Sequence, residues 1–206
     1  MPRHRYTSDS HFGHTNIIRY CQRPFSSVAE MDAALATPLI EADAAGDRIV
    51  HLGDWAWKAE EAVQCLGQLS HPEQHLLVTG NHDRYPSGLD VRNQAFHQVF
   101  GTIIGERTSW MDNQHRMEDT ADGRTYRLLL SHVPRPRPED VDLVLFGHIH
   151  NSASDPLKIE RVHLQYPWLE KEPAHHVNVG VDVLGFKPRS LEWILRRKKA
   201  DPTSLI

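Results

Sequence analysis

Four times along the chain a short apolar stretch runs into a small residue and then into a side chain able to bind metal. Ile49-Val50-His51-Leu52-Gly53 ends at Asp54, and Leu76-Leu77-Val78-Thr79-Gly80 ends at Asn81-His82-Asp83. Leu128-Leu129-Leu130-Ser131 ends at His132, and Leu143-Val144-Leu145-Phe146-Gly147 ends at His148-Ile149-His150. Arg5-Tyr6-Thr7-Ser8, ahead of Asp9-Ser10-His11, is a weaker version of the same unit. Apolar runs of this length bounded by turn residues read as buried strands.

Helical patterns lie between some of these strands. Ser27-Val28-Ala29-Glu30 matches a capping box and opens an apolar face of Val28, Met31 and Leu35. Pro38 is expected to kink or end that helix near Thr37, with a restart through Ala45. Ala62, Val63, Leu66 and Leu69 are spaced as a second short helix. Ser190 is placed to cap a final helix carrying Leu191, Ile194 and Leu195, whose basic end runs Arg196-Arg197-Lys198-Lys199. Asp122-Gly123 reads as a hairpin turn. The stretch from Trp110 to Asp119 is polar and predicts no element. Strands alternating with helices predict an α/β layered domain, expected to be a single domain over 1–206. In open α/β sheets the site lies at the carboxyl ends of the strands, which is where the polar residues of every unit fall.

Composition narrows the class. The chain has 206 residues, 23 Lys+Arg against 27 Asp+Glu, and a formal net charge of -4, which disfavours a generic nucleic-acid coat. Hydrophobic residues at 39% speak for a packed core. A mean hydropathy of -0.52 and the lack of a long apolar run predict no transmembrane helix. The start, Met1-Pro2-Arg3-His4-Arg5-Tyr6, has no apolar core of a secretory signal. Two cysteines, Cys21 and Cys65, form neither a disulfide framework nor a CxxC site. Together these features predict a cytoplasmic protein. Histidine, at 15 residues, outnumbers glycine at 12.

The loop residues carry the chemistry. Asp9 and His11 are two apart, so on an extended segment their side chains share a face, as do those of His148 and His150. Asp54, Asn81 and His132 each follow a separate strand. These seven donors exceed the three or four protein ligands of one zinc site. They suit two divalent ions sharing a carboxylate, set roughly 3.5–4 Å apart to clamp an in-line displacement. Imidazole, carboxylate and amide donors without thiolate fit Mn, Fe, Zn, Ni or Co.

Asp9-Ser10-His11, Gly53-Asp54, Gly80-Asn81-His82-Asp83, Ser131-His132 and Gly147-His148-Ile149-His150 occur in order. They resemble the five signature blocks of the calcineurin-like metallophosphoesterase superfamily. The surroundings of the first block, with Asn16-Ile17-Ile18 and Arg23-Pro24-Phe25, are similar to a group of small bacterial and phage phosphoesterases. So is the tail, Asn178-Val179-Gly180-Val181-Asp182 with Phe186-Lys187-Pro188. The resemblance implies a layered β-sandwich flanked by helices. It also implies hydrolysis of phosphomonoesters or phosphodiesters by a metal-bridging hydroxide. Asp9, His11 and His150 would hold one ion, Asn81, His132 and His148 the other, with Asp54 bridging. His82 would act as general acid or charge stabiliser, oriented by Asp83, and Asn81 would also lie near the phosphate oxygens.

His14 and Arg23 are candidate phosphate contacts, and Arg135 and Arg137 candidate anion binders. The plainer alternatives are a loop-holding role for His14, a surface salt bridge for Arg23, and solvated chain for Arg135 and Arg137. His51 is expected to support the site from within its strand, and Trp55 and Trp57 to pack in the core, with stacking on a base or aromatic leaving group as the alternative. The second block continues Trp55-Ala56-Trp57-Lys58 where phosphoprotein phosphatases carry Asp-Arg-Gly. That departure favours a small phosphorylated substrate or a nucleotide as partner, with no membrane. The insert between Asp83 and Ser131 is expected to shape substrate access. The alternatives are a nuclease acting on nucleic-acid ends and a non-catalytic scaffold of the same fold.

Overall fold

A computed structural model of the chain describes residues 2–57, 69–83, 100–104, 113–152, 155 and 157–206. Each apolar run named above is a strand within it. β1 (His4–Thr7), β2 (Arg48–His51), β3 (Leu76–Val78) and β4 (Thr102–Ile104) form one sheet in that order, parallel throughout. β5 (Gln114–Ala121), β6 (Arg124–Ser131), β7 (Leu143–Phe146) and β8 (His176–Asn178) form the second, with only the β5–β6 pair antiparallel.

Strand alternation sorts the side chains into layers. Tyr6, Val50, Leu52 and Val78 of the first sheet join Leu128, Leu130, Leu143, Leu145 and Val177 of the second in one buried cluster, the filling of a β-sandwich. The opposite face of the first sheet presents Ile49 and Leu77 to Ile17, Met31, Leu35 and Leu39. These come from α1 (Thr15–Tyr20) and α2 (Val28–Ala44). On the outer face of the second sheet, Phe146 packs with Val162 and Leu169 of two short helices and with Tyr166 between them. The order of layers is helix, sheet, sheet, helix, as the resemblance implies. Among the described residues no helix is long and apolar enough to cross a membrane.

Three local expectations change. α2 runs unbroken through Pro38. Proline removes one amide and frees the carbonyl of Ala34, but Ala34 is exposed and water can satisfy it. Met31, Leu35, Leu39 and Ala42 are buried on the other side and hold the helix together across the gap. The capping box is also displaced. Ser27 Oγ accepts from Glu30 N as expected (3.1 Å), but the Glu30 carboxylate accepts from Ser26 N at 2.7 Å instead of closing on Ser27. The uninformative polar stretch contains most of β5, an outlying strand whose side chains are largely wet. Its hairpin turns at Asp122 (φ 50°) and Gly123 (φ 78°), the backbone of a type I′ turn. The final helix, Leu191–Ala200, begins at Ser190 as expected. The helix expected over Ala62, Val63 and Leu66 lies outside the described residues, as do 84–99 and 105–112 of the insert.

Candidate metal centre

The carboxyl ends of β1, β2, β3, β6 and β7 point the same way and deliver their loops to one place. Asp9 N donates to Gly53 O (2.9 Å), His11 N to Asp54 O (3.0 Å) and Gly147 N to His132 O (2.9 Å). Backbone therefore ties loop to loop before any side chain is considered. Asp9, His11, Asp54, His148 and His150 all adopt positive φ, between 50° and 71°. Left-handed backbone costs most non-glycine residues roughly 1–3 kcal/mol, and it is tolerated where surrounding structure dictates it. Gly53, at φ +88°, permits one close approach. A Cβ there would sit 2.6 Å from Gly80 N and 2.7 Å from His132 Nδ1.

The donors gather into two clusters. Asp9, His11 and His150 offer ligand atoms within 4.8 Å of one another, and so do Asp54, His132 and His148. Asn81 completes the second cluster: its Oδ1 lies 3.1 Å from both His132 Nε2 and His148 Nδ1. Asp54 stands between them. Its Oδ2 is 3.5 Å from His11 Nε2, and its Oδ1 is 3.4 Å from His132 Nε2. Donors bound to one ion at 2.0–2.2 Å lie roughly 2.8–3.6 Å apart, which these spacings match. Both ring nitrogens of His11 are buried without a hydrogen-bond partner among the described residues. Such orphans are costly, and a divalent ion satisfies one of them. The residues present thus fit a metal centre.

The electrostatics agree. Burial would raise Asp54, but His132, His11 and His82 hold its carboxyl well below the usual range. Burial would lower His132, yet Asp54 keeps it charged up to about 9. Burial and the charge on His132 push His148 down to about 4. Burial raises Asp9, and the nearby His150 and His132 only partly offset this.

The other candidates separate. His82 sits beside the bridging carboxylate: its amide donates to Asp54 Oδ1 (2.8 Å), and its Nε2 lies 3.9 Å from Asp54 Oδ2 with the side chain 36% exposed. Asp83 does not orient it. The Asp83 carboxylate accepts from the backbone amides of Asp54 (2.8 Å), Trp55 (2.8 Å) and Gly80 (2.7 Å), pinning the second block to the third. Burial and the neighbouring Asp54 push its pKa up to about 6. Arg23 is neither a phosphate contact nor a surface residue. Its guanidinium is buried and donates to Asp182, to the carbonyls of Asp9 and Ser10, and to the Met31 sulfur.

His14 stacks on Trp57, ring centroids 4.4 Å apart. Trp55 is core, 1% exposed, but Trp57 is 48% exposed at the mouth of the site, its ring 5.2 Å from that of His82. His51 is buried, and its Nε2 shares a hydrogen bond with Ser10 Oγ (2.9 Å). Arg137 pairs with Glu172 at 2.9 Å, away from the donors. The residue the motifs miss is Asp182. Its Oδ2 lies 2.8 Å from His150 Nδ1. It belongs to the resembling tail, and that was the signal available.

Comparison with known proteins follows the same line. A family model described as the calcineurin-like phosphoesterase superfamily domain matches residues 4–180. An uncharacterized protein of Methanocaldococcus jannaschii is 28% identical over 194 residues, covering 92% of this chain and 87% of its own. A crystal structure of a protein of unknown function from Aquifex aeolicus shares the fold at 22% identity. Its TM-score is 0.64, with 96% of this chain and 100% of that one covered.

Proposed function

Because the chain belongs to the calcineurin-like phosphoesterase superfamily, whose members are metal-dependent phosphoesterases, we propose that it hydrolyses a small phosphomonoester or phosphodiester at a centre of two divalent ions. The observation that carries this reading is Asp54, which turns one carboxylate oxygen to each donor cluster. Asp9, His11 and His150 would hold one ion. Asn81, His132 and His148 would hold the other. When bound, such a pair makes water a nucleophile at neutral pH and neutralises charge on the phosphoryl oxygens. The donors are consistent with Mn, Fe, Zn, Ni or Co.

The chain's own groups supply the rest. His82 is partly exposed and poised over Asp54, so its imidazole delivers a proton to the leaving oxygen. The Asn81 side chain, beside His132 and His148, would also align a phosphate oxygen. The half-exposed Trp57 beside His82 favours a nucleotide base or an aryl group on the leaving side. His14 holds that ring by stacking. One domain over 1–206, working in the cytoplasm on a small phosphorylated partner, is the setting we propose.

The test is turnover of 4-nitrophenyl phosphate and bis(4-nitrophenyl) phosphate by protein whose Mn²⁺ content has been measured. Two ions per chain and hydrolysis of either ester support the reading, and Asp54→Asn should abolish both. A chain that holds two ions yet turns over no phosphoester overturns it.

A further inference from the structure

Outside the five motif blocks, one buried network reaches the metal donors. Arg23 and Asp182 form an ion pair, Nε to Oδ1 at 2.8 Å and Nη2 to Oδ2 at 3.2 Å, with side chains 0% and 2% exposed. From the same guanidinium, Nη2 donates to Asp9 O (2.7 Å) and Nη1 to Ser10 O (2.9 Å). From the same carboxylate, Oδ2 meets His150 Nδ1 at 2.8 Å. The pair therefore grips two donors of one cluster at once, Asp9 by its backbone and His150 by its ring. Both residues sit at positive φ, where neither loop would rest unaided. A carboxylate at Nδ1 also fixes the imidazole tautomer and leaves Nε2 as the donor. Asn178 adds a further hold, its Nδ2 donating to His150 O at 2.7 Å. Asp182 makes no contact of this kind with Asn81, His132 or His148 among the described residues.

Resting on the two-ion reading above, we infer that Asp182 and Arg23 are positioning residues for the Asp9–His11–His150 ion, and set its affinity without touching it. A buried ion pair contributes little to net stability against an apolar replacement, so what this pair orients matters more than what it adds to stability. Loss of such a supporting partner typically weakens metal binding 10–100-fold. The Cys21 thiol lies within 4.8 Å of His150 and Asp182. It gives the imidazole a weaker neighbour when the carboxylate is removed.

The experiment is calorimetric titration of chelator-treated wild type, Asp182→Asn and Arg23→Lys with Mn²⁺, with electron paramagnetic resonance of each loaded sample. Wild type should take up two ions and show the spectrum of a spin-coupled pair. Asp182→Asn should keep one binding step unchanged, weaken the other 10–100-fold, and show an uncoupled Mn²⁺ spectrum at one equivalent. Asp182→Glu should restore part of the lost affinity. If Asp182→Asn does not fold by circular dichroism, Arg23→Lys decides with the same readouts. Two unchanged steps in the variants, or equal weakening of both with a lower urea midpoint in chelator, would overturn the inference. A wild type that binds fewer than two ions would instead overturn the reading on which it rests.

Discussion

Replacing Asp83 with alanine separates two ideas of what the third motif block does. In the structure three buried amides, those of Asp54, Trp55 and Gly80, share the Asp83 carboxylate at 2.7–2.8 Å. Stripping a buried donor of its acceptor costs about 1–3 kcal/mol, so three orphaned amides would cost about 3–9 kcal/mol if nothing relaxed. Two effects work against this. The repulsion from Asp54 that helps hold Asp83 up at about 6 disappears, and water can enter the vacated space. A net loss of about 2–5 kcal/mol is expected, a large share of the stability of an ordinary domain. With a urea m-value of about 2 kcal/mol/M, the unfolding midpoint of chelator-treated protein should fall by about 1–2.5 M at pH 7. Mn²⁺ binding should weaken as well, because the Asp54 loop is released. An unchanged midpoint and unchanged metal affinity, with the whole loss in kcat, would refute the reasoning. It would return Asp83 to the role of orienting His82.

Three further outcomes are expected. His132, held up to about 9 in the folded chain against about 6.5 unfolded, stabilises the metal-free protein fully below about pH 6.5. That contribution is lost as the pH rises through about 9. Urea midpoints at pH 6.5 and 9 should therefore differ in chelator. They should differ less in Mn²⁺, which displaces the proton, and less in His132→Gln. His82→Asn should lower kcat by about 10²–10⁴ while leaving the urea midpoint within error, and unchanged turnover would remove His82 from the chemistry. Pro38→Ala returns a helix hydrogen bond to Ala34 O and should raise the thermal midpoint by about 2–4 °C, read by circular dichroism.

β2, β3, β7 and the end of β6 were legible because their runs are apolar and buried, and their donors follow in sequence; β1, His4-Arg5-Tyr6-Thr7, carries a weaker pattern. β5 was not, because its side chains face water and its pattern is therefore polar. The seven donors were legible as a set of residue types. The split of Asp54 between two clusters depends on a rotamer and a left-handed backbone, which sequence does not display. Arg23 shows the limit most plainly. An arginine near a phosphate motif suggests an anion contact, but its real partner is 159 residues away and buried with it. Asp83 fails for a related reason: adjacency to His82 in sequence suggested a partnership, while its carboxylate turns inward to backbone amides. Hydrophobicity alone suggests core for both Trp55 and Trp57, but the loop after β2 is not an extended strand, and it buries Trp55 while leaving Trp57 at the mouth.

The division of donors between the sheets has a consequence for how the protein is made. Asp9, His11, Asp54 and Asn81 follow strands of the first sheet, and His132, His148 and His150 follow strands of the second. Each cluster needs both. A growing chain that has released only its first half lacks His150 for one cluster and His132 and His148 for the other, so neither donor set is complete. The last hold on His150 arrives with Asp182, beyond β8. Firm uptake of ions by these residues would therefore have to wait until the two halves have met and the tail has closed behind them. Ions held in this way would rivet early-made chain to late-made chain, so that separating the halves would mean giving up the metal.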